Sequence, residues 1–281
     1  MLYVACPIWN SKAWPGDFLP AETTAASALA AYAARLNAVE GNTTFYAIPD
    51  SEVILRWREQ TQEGFRFCLK FPRAITHDRM LVRADRETAD WIDRLRLLGD
   101  RRGPSFLQLP RDFAPDRFDI LAAYLSSLPP DLAHSVEPRN IGWFEKDIEA
   151  SLNALLTDLG IGRVLFDVRP LRAAEVLDPE ARKAKMSKPN VPVRTGRTAG
   201  NVHLRYVAHT DLELNERWLA QWAPIAARWI DEGLDVYIAM HTIDESHMPK
   251  LCRMFHAMVD AITPLPPLPE PTVDESQMSL F

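Results

Sequence analysis

The sequence predicts a single α/β domain, a (β/α)8 barrel of the TIM type followed by an extended C-terminal tail. Short β-like runs alternate with helical patterns along most of the chain, which is typical of parallel βα units. There are eight such runs, the number that closes a barrel of roughly 250 residues. An open doubly wound sheet would show a Gly-rich phosphate loop after an early strand, whereas this chain of 281 residues has only 11 glycines and no such loop.

The predicted elements follow in order along the chain. The strands are residues 2–8, 38–42, 65–71, 105–109, 134–138, 163–168, 202–207 and 235–240. Apolar residues recur at helical spacing in 145–159 and 213–232, so both segments are predicted to be helices with one buried face. Gly160 stands where a left-handed C-terminal cap is expected, and Pro115 begins another helix where its missing N–H does no harm. We therefore assign the barrel to 1–263 and a Pro-rich tail to 264–281.

The composition is that of a globular protein. Hydrophobic residues make up 47% of the chain, and the longest apolar runs are far shorter than the roughly 20 residues of a membrane helix. Three widely spaced cysteines predict buried apolar side chains in a reducing compartment, and the N-terminal residues look like the start of a fold, so we expect a cytoplasmic protein.

The charge is acidic overall but locally basic. A net charge of −6 argues against non-specific coating of nucleic acid. Residues 172–200 carry seven Lys and Arg against three acids, so this stretch is either a solvated loop or an anion-binding one.

The C-terminal ends of the strands carry the candidate functional residues, because the catalytic groups of such barrels lie there. Glu40 and Asn42 alternate with apolar residues, so both should point into the mouth of the barrel. A buried carboxylate is costly unless a cation pairs with it or water reaches it, so we expect Lys70, Arg139 or Arg205 nearby. The other candidates at or after strand ends are Trp9, His77, Gln108, Glu137, Asp167, His209 and His241.

These side chains leave three chemistries open. Glu40 and Glu137 could form an acid/base pair, as in glycoside hydrolysis. A divalent metal for phosphodiester hydrolysis is the second option, although no HExxH-type spacing supports it. Its candidate ligands are Glu40, Glu137, Asp167, His77, His209 and His241. Finally, Lys70, Arg139 and Arg205 could clamp a phosphate, and the basic character of the mouth favours such an anionic ligand.

Five segments resemble the YecE-like family of TIM barrels, catalogued as domain of unknown function 72. They are "VEGNTTFYAIP", "FRFCLKFPRAITH", "FLQLPRDF", "VEPRNIGWF" and "VHLRYVAHTD", in order and spacing. The resemblance implies a closed barrel but no established reaction. The mouth residues that it implies are Glu40, Asn42, Tyr46, Lys70, His77, Gln108, Glu137, Arg139, Trp143 and Arg205.

The chain departs from that family pattern at two places. Pro138 and Asn140 stand where an aromatic residue and often a histidine follow the glutamate. Met240 and His241 replace an asparagine pair on the last strand, which puts a titratable group where an amide is usual.

The last five residues, QMSLF, resemble the bacterial sliding-clamp binding pentapeptide. Gln277 would hydrogen-bond at the edge of a pocket, and Met278, Leu280 and Phe281 would supply apolar contacts on a tether stiffened by proline. Folding back onto the barrel and disorder are the alternatives.

The prediction from these residues is a barrel whose mouth binds an anionic, phosphate-bearing ligand. Our working hypothesis is hydrolysis of a phosphodiester in connection with DNA repair, with Glu40 or Glu137 as base or metal ligand and the three cations stabilising negative charge. The alternatives are a non-catalytic adaptor that binds a nucleotide or nucleic acid, and a carbohydrate-active enzyme with tryptophans such as Trp9 and Trp143 as a stacking surface.

Overall fold

The computed structural model describes residues 1–173 and 179–270. Within them, eight parallel strands alternate with helices, as predicted. The strands are β1 Leu2–Cys6, β2 Ala38–Gly41, β3 Arg66–Leu69, β4 Ser105–Gln108, β5 His134–Glu137, β6 Gly162–Asp167, β7 Asn201–Val207 and β8 Asp235–His241. Each strand overlaps its predicted run and differs from it by only one or two residues at an end.

Helices follow the strands around the outside of the sheet. Those in the described residues are α1 Ala28–Ala33, α2 Ser51–Glu59, α3 Asp85–Leu97, α4 Phe118–Ser126, α5 Lys146–Asp158, α6 Arg169–Ala173, α7 Pro179–Ser187, α8 Glu216–Asp231 and α9 Met248–Asp260. The predicted cap after α5 is confirmed, since Gly160 has a φ of 65°. Both α4 and α8 begin later than predicted, because the 3₁₀ turns Pro115–Arg117 and Glu213–Asn215 precede them.

The sheet curls into a nearly closed barrel. Its strands are hydrogen-bonded in the order β3-β2-β1-β8-β7-β6-β5-β4, which leaves β3 and β4 as the two edges. Parallel bridges join these edges at Phe67–Arg102 and Lys70–Phe106, and the Phe71 N–H donates to the Phe106 carbonyl at 2.9 Å. The (β/α)8 prediction is therefore confirmed.

Apolar side chains fill the N-terminal end of the barrel. Tyr3 and Tyr237 stack there with ring centroids 4.6 Å apart, and the buried Cys68 belongs to the same cluster. All three cysteines are buried and free, as predicted, although Cys6 and Cys252 bring their Sγ atoms to 3.9 Å. Because this end is packed, a ligand can enter the barrel only from the C-terminal end.

The predicted tail begins by packing on the barrel. Leu265 and Leu268 are partly buried against the core, and the Leu265 N–H donates to Asp260 Oδ1 at 2.8 Å. The residues predicted to bind a partner, Gln277, Met278, Leu280 and Phe281, lie outside the described residues. Among the described helices, none combines the length and the apolar character that crossing a membrane requires.

Candidate functional site

Arg205 stands at the centre of the C-terminal mouth. From the end of β7, its Nε and Nη2 donate to the two carboxylate oxygens of Glu40 at 2.8 and 2.9 Å, and its Nη1 donates to Glu137 Oε2. All three side chains are almost completely buried. One guanidinium thus binds two carboxylates from β2 and β5, in the fork geometry that makes Arg–carboxylate pairs strong.

The alternation of side chains along each strand explains this convergence. Glu40, Glu137 and Arg205 all point to the inner face near the C-terminal ends of their strands. Gln108 on β4 accepts from Arg205 Nη1 at 3.4 Å, and the ring of Phe106, two residues earlier, lies 5.0 Å from the guanidinium carbon. An apolar ring therefore forms the floor of a polar layer.

Both carboxylates are ionised at neutral pH. Burial would raise the pKa of Glu40, but Arg205 holds it well below the usual value. Burial would also raise the pKa of Glu137, but Arg139 and Arg205 lower it to about 2. Arg139 reaches Glu137 Oε1 through its Nε, so the second carboxylate has its own cation in addition to the shared one.

Two neutral side chains contact the same oxygen of Glu40 from different sides. Asn42 Nδ2 donates to Glu40 Oε1 at 2.8 Å, and His241 Nε2 lies 3.2 Å from that oxygen. Burial lowers the pKa of His241 to about 4, even though Glu40 opposes the shift, so its imidazole is neutral at pH 7. His203 lies one layer below, with Nε2 3.5 Å from Glu40 Oε2.

Two lysines complete the mouth. Lys70 at the end of β3 is buried and holds its Nζ 3.8 Å from the centre of the Phe45 ring. Burial, with Arg205 nearby, lowers the pKa of Lys70 to about 7. Lys188 follows α7, and burial beside Arg205 and Arg139 lowers its pKa to about 8. Sequence reasoning did not single out Lys188, although it lies in the basic stretch 172–200.

His77 lies beside Lys70 on the β3 side of the mouth. Its ring packs edge-on against Phe45 at 4.9 Å, and its Nδ1 is 2.9 Å from Thr76 Oγ1. Burial, followed by the charge of Lys70, lowers the pKa of His77 to about 4. The histidine is therefore a neutral neighbour of the lysine.

Asp167 lies outside this cluster. Both of its oxygens bind Arg169, and Trp222 Nε1 on α8 donates to Oδ2 at 2.8 Å. The reason is strand parity, because Phe166 points into the barrel, where Arg139 lies over its ring, and Asp167 must then point outward. We had expected Asp167 in the mouth because it ends β6. It anchors α8 instead.

Trp143 and His209 also have partners elsewhere. Trp143 is completely buried, and its Nε1 donates to the Phe113 carbonyl at 2.7 Å, so it does not line the mouth as expected. His209 Nδ1 accepts from the Asp211 N–H at 2.9 Å within the loop after β7. The positions of both side chains depend on loop conformations, which the prediction of strands from the sequence does not give.

Two pockets are lined by side chains that contact Glu40. The first, of about 310 Å³, is mainly apolar and is lined by Trp9, Asn42 and Tyr46 among others. The second, of about 260 Å³, is lined by residues that include Lys188 and His241. Asn42 and His241, the two contacts of Glu40 Oε1, thus belong to one pocket each.

The carboxylates do not form a ready metal site. Both oxygens of Glu40 and both of Glu137 already accept from guanidinium groups. Within residues 1–173 and 179–270, no group of three or more His, Cys, Asp or Glu side chains is arranged to hold a metal ion. The described residues of the mouth therefore do not fit the divalent cation that the sequence left open.

The fold and the mouth define a class: a (β/α)8 barrel protein with a buried Arg–Glu network at its C-terminal end, flanked by lysines. A model of the family described as "Protein of unknown function DUF72" matches residues 3–273. The UPF0759 protein YecE of Escherichia coli is 36% identical over 252 residues, which cover 89% of this chain and 90% of the relative. The chain belongs to the DUF72 family, as its motifs had indicated.

Solved structures support the same fold. A DUF72 family protein of Enterococcus faecalis matches with a TM-score of 0.67 at 16% identity, covering 95% of this chain and 98% of the other. One from Thermotoga maritima matches with a TM-score of 0.68 at 17% identity, covering 92% and 99%. At this level of identity the similarity concerns the barrel alone.

Proposed function

We propose that the mouth of the barrel binds a small anionic ligand that carries a phosphate group. The observation that carries this proposal is an excess of cations. Glu40 and Glu137 are matched by Arg205 and Arg139, whereas neither lysine of the mouth makes an ion pair with a carboxylate of the described residues. Two positive charges partly withdrawn from water are costly without an anion nearby.

The lowered pKa values of the two lysines support this proposal. Burial brings the pKa of Lys70 to about 7 and that of Lys188 to about 8, which measures the cost of keeping the amines charged. A bound phosphate would favour the charged forms. Binding should therefore take up protons near pH 7 to 8, and affinity should fall as the pH rises above 8.

Hydrolysis of a phosphate ester is the activity that we propose for this site. Water would attack phosphorus and give up a proton to a side chain of the mouth, the bond to the ester oxygen would break, and that side chain would pass the proton to the departing alcohol. The neutral His241, held 3.2 Å from Glu40, is the candidate for this proton transfer, and Lys70 and Arg139 would stabilise the charge that develops on phosphate. The suggested link to DNA repair depends only on the tail.

The proposal is tested with inorganic phosphate and bis(4-nitrophenyl) phosphate. We expect phosphate to raise the melting temperature of the wild type, and the diester to be hydrolysed. Lys70→Met should lose both effects, while Lys146→Met, which removes the same charge from an exposed position, should keep them. Phosphate binding without turnover would favour a non-catalytic adaptor, and a melting temperature that does not respond to phosphate would contradict the proposal.

Partner binding by the tail stays a separate proposal. The pentapeptide QMSLF is expected to bind a bacterial sliding clamp through Gln277, Leu280 and Phe281. Immobilised clamp should retain the full chain and lose it when residues 277–281 are deleted. Equal recovery of the full chain and the shortened chain would contradict clamp binding and would leave the proposal for the barrel mouth unchanged.

A further inference from the structure

The apolar pocket on the Asn42 side of Glu40 has no role in the proposed chemistry. Its walls include Trp9 and Tyr46, and its volume of about 310 Å³ is at the lower end for ligand sites. Tyr46 leaves 81% of its surface in water, which is unusual for a large aromatic side chain. Trp9 is held in place by the edge of Trp57, with ring centroids 5.0 Å apart.

This pocket is joined to the anion site through shared side chains. Asn42 lines the pocket and donates to Glu40 Oε1, the same oxygen that lies 3.2 Å from His241 Nε2, and His241 lines the second pocket. The 3₁₀ turn Thr43–Phe45 makes a second connection. The Lys70 amine lies over the ring of Phe45, and the rings of Phe45 and Tyr46 pack edge to face with their centroids 5.4 Å apart. The aromatic pocket is therefore linked to Glu40 through Asn42 and to Lys70 through Phe45 and Tyr46.

We infer that the aromatic pocket takes a ring of the same ligand, so that the substrate is a phosphate ester of a ring-bearing compound such as a sugar or a nucleoside. The exposed ring of Tyr46 and the partly buried ring of Trp9 stack on the ligand ring, while the amide of Asn42 lies where ring hydroxyls or ring nitrogens can hydrogen-bond. The phosphate group of this ligand then lies at the anion site, beside its lysines. This inference rests on the proposed anion site for the position of the phosphate.

The test compares affinities of the full-length protein for four probes by titration calorimetry. These are inorganic phosphate, glucose 6-phosphate, adenosine 5′-monophosphate and uncharged adenosine. We expect at least one of the two esters to bind roughly tenfold or more tightly than inorganic phosphate. Comparing glucose 6-phosphate with adenosine 5′-monophosphate shows whether a sugar or a nucleobase is the ring that stacks in the pocket.

Variants test whether the higher affinity of the esters relative to inorganic phosphate arises in this pocket. Tyr46→Ala, at an exposed position that should not affect folding, is expected to reduce the ratio of ester affinity to phosphate affinity toward one, and Trp9→Leu should do the same. Ile141→Ala, which also removes an exposed apolar side chain, should leave the ratio unchanged.

The outcomes separate this inference from the proposed function. Esters that bind no better than phosphate, or a ratio that Tyr46→Ala does not change, would overturn the ring pocket and leave the anion site standing. Adenosine binding that depends on Tyr46, without any phosphate binding, would keep the pocket and overturn the anion site. Failure of all four probes would overturn both.

Discussion

Arg205→Met is expected to lower the free energy of unfolding by about 3–5 kcal/mol, the largest effect among the substitutions considered. The guanidinium is the shared partner of Glu40 and Glu137, and its loss leaves Glu40 buried without a cation. Denaturant titration at pH 8 measures the effect. Arg228→Met is the matched control, because that side chain is 63% exposed and its removal should change stability by no more than about 0.5 kcal/mol.

The effect of Arg205→Met should also depend on pH. In the wild type, the pKa values of Glu40 and Glu137 lie below their usual value, so these groups stabilise the fold above about pH 4.5 and lose that contribution as the pH falls. Without Arg205, burial would instead raise the pKa of Glu40, and the variant would gain stability on protonation. The difference between the two proteins should therefore narrow toward pH 4. A constant difference would contradict the ion-pair explanation.

Lys70→Met is expected to stabilise the protein. The pKa of Lys70 is about 7 in the folded protein against an ordinary 10.5, so the cost of burying the charged amine is fully present below pH 7 and disappears as the pH rises toward 10.5. The substitution should raise the free energy of unfolding at pH 6 by at most about 5 kcal/mol, and by less at pH 9. Denaturant titrations at the two pH values check this.

Stabilisation with loss of phosphate binding would identify Lys70 as a residue kept for function at the expense of stability. Lys146→Met serves again as the control and should leave stability nearly unchanged at both pH values. A large loss of stability in Lys70→Met would instead mean that the amine supports the barrel, and the argument for an unmatched cation would fail.

The convergence of the charged residues follows from alternation along the strands. Glu40, Glu137 and Arg205 each occupy an inward position near a strand end, so a sequence that predicts the strands also predicts that they meet. The prediction for Asp167 was wrong because this residue was selected as the end of β6, without asking which face of the strand its side chain occupies. Counting alternate positions along β6 would have shown that Phe166 and Asp167 cannot both face the barrel axis.

Other features had no sequence signal of comparable strength. Trp143 was expected at the mouth because of its motif, but the loop after β5 turns its ring into the core. Lys188 reaches the mouth because the long connection after β6 returns across it, and only an excess of basic residues in that stretch suggested the placement. Roles in binding or catalysis stay predictions for all of these residues.

The amino-acid sequence alone determined the number and direction of the strands and the set of side chains near their C-terminal ends, because these depend on local periodicity. Only the tertiary structure decided which cation pairs with which carboxylate. The distances between these groups join different strands across the barrel, so they depend on how the barrel closes. It also decided that neither Lys70 nor Lys188 forms an ion pair with a carboxylate of residues 1–173 and 179–270, because such pairing depends on distances between residues that are far apart in the sequence.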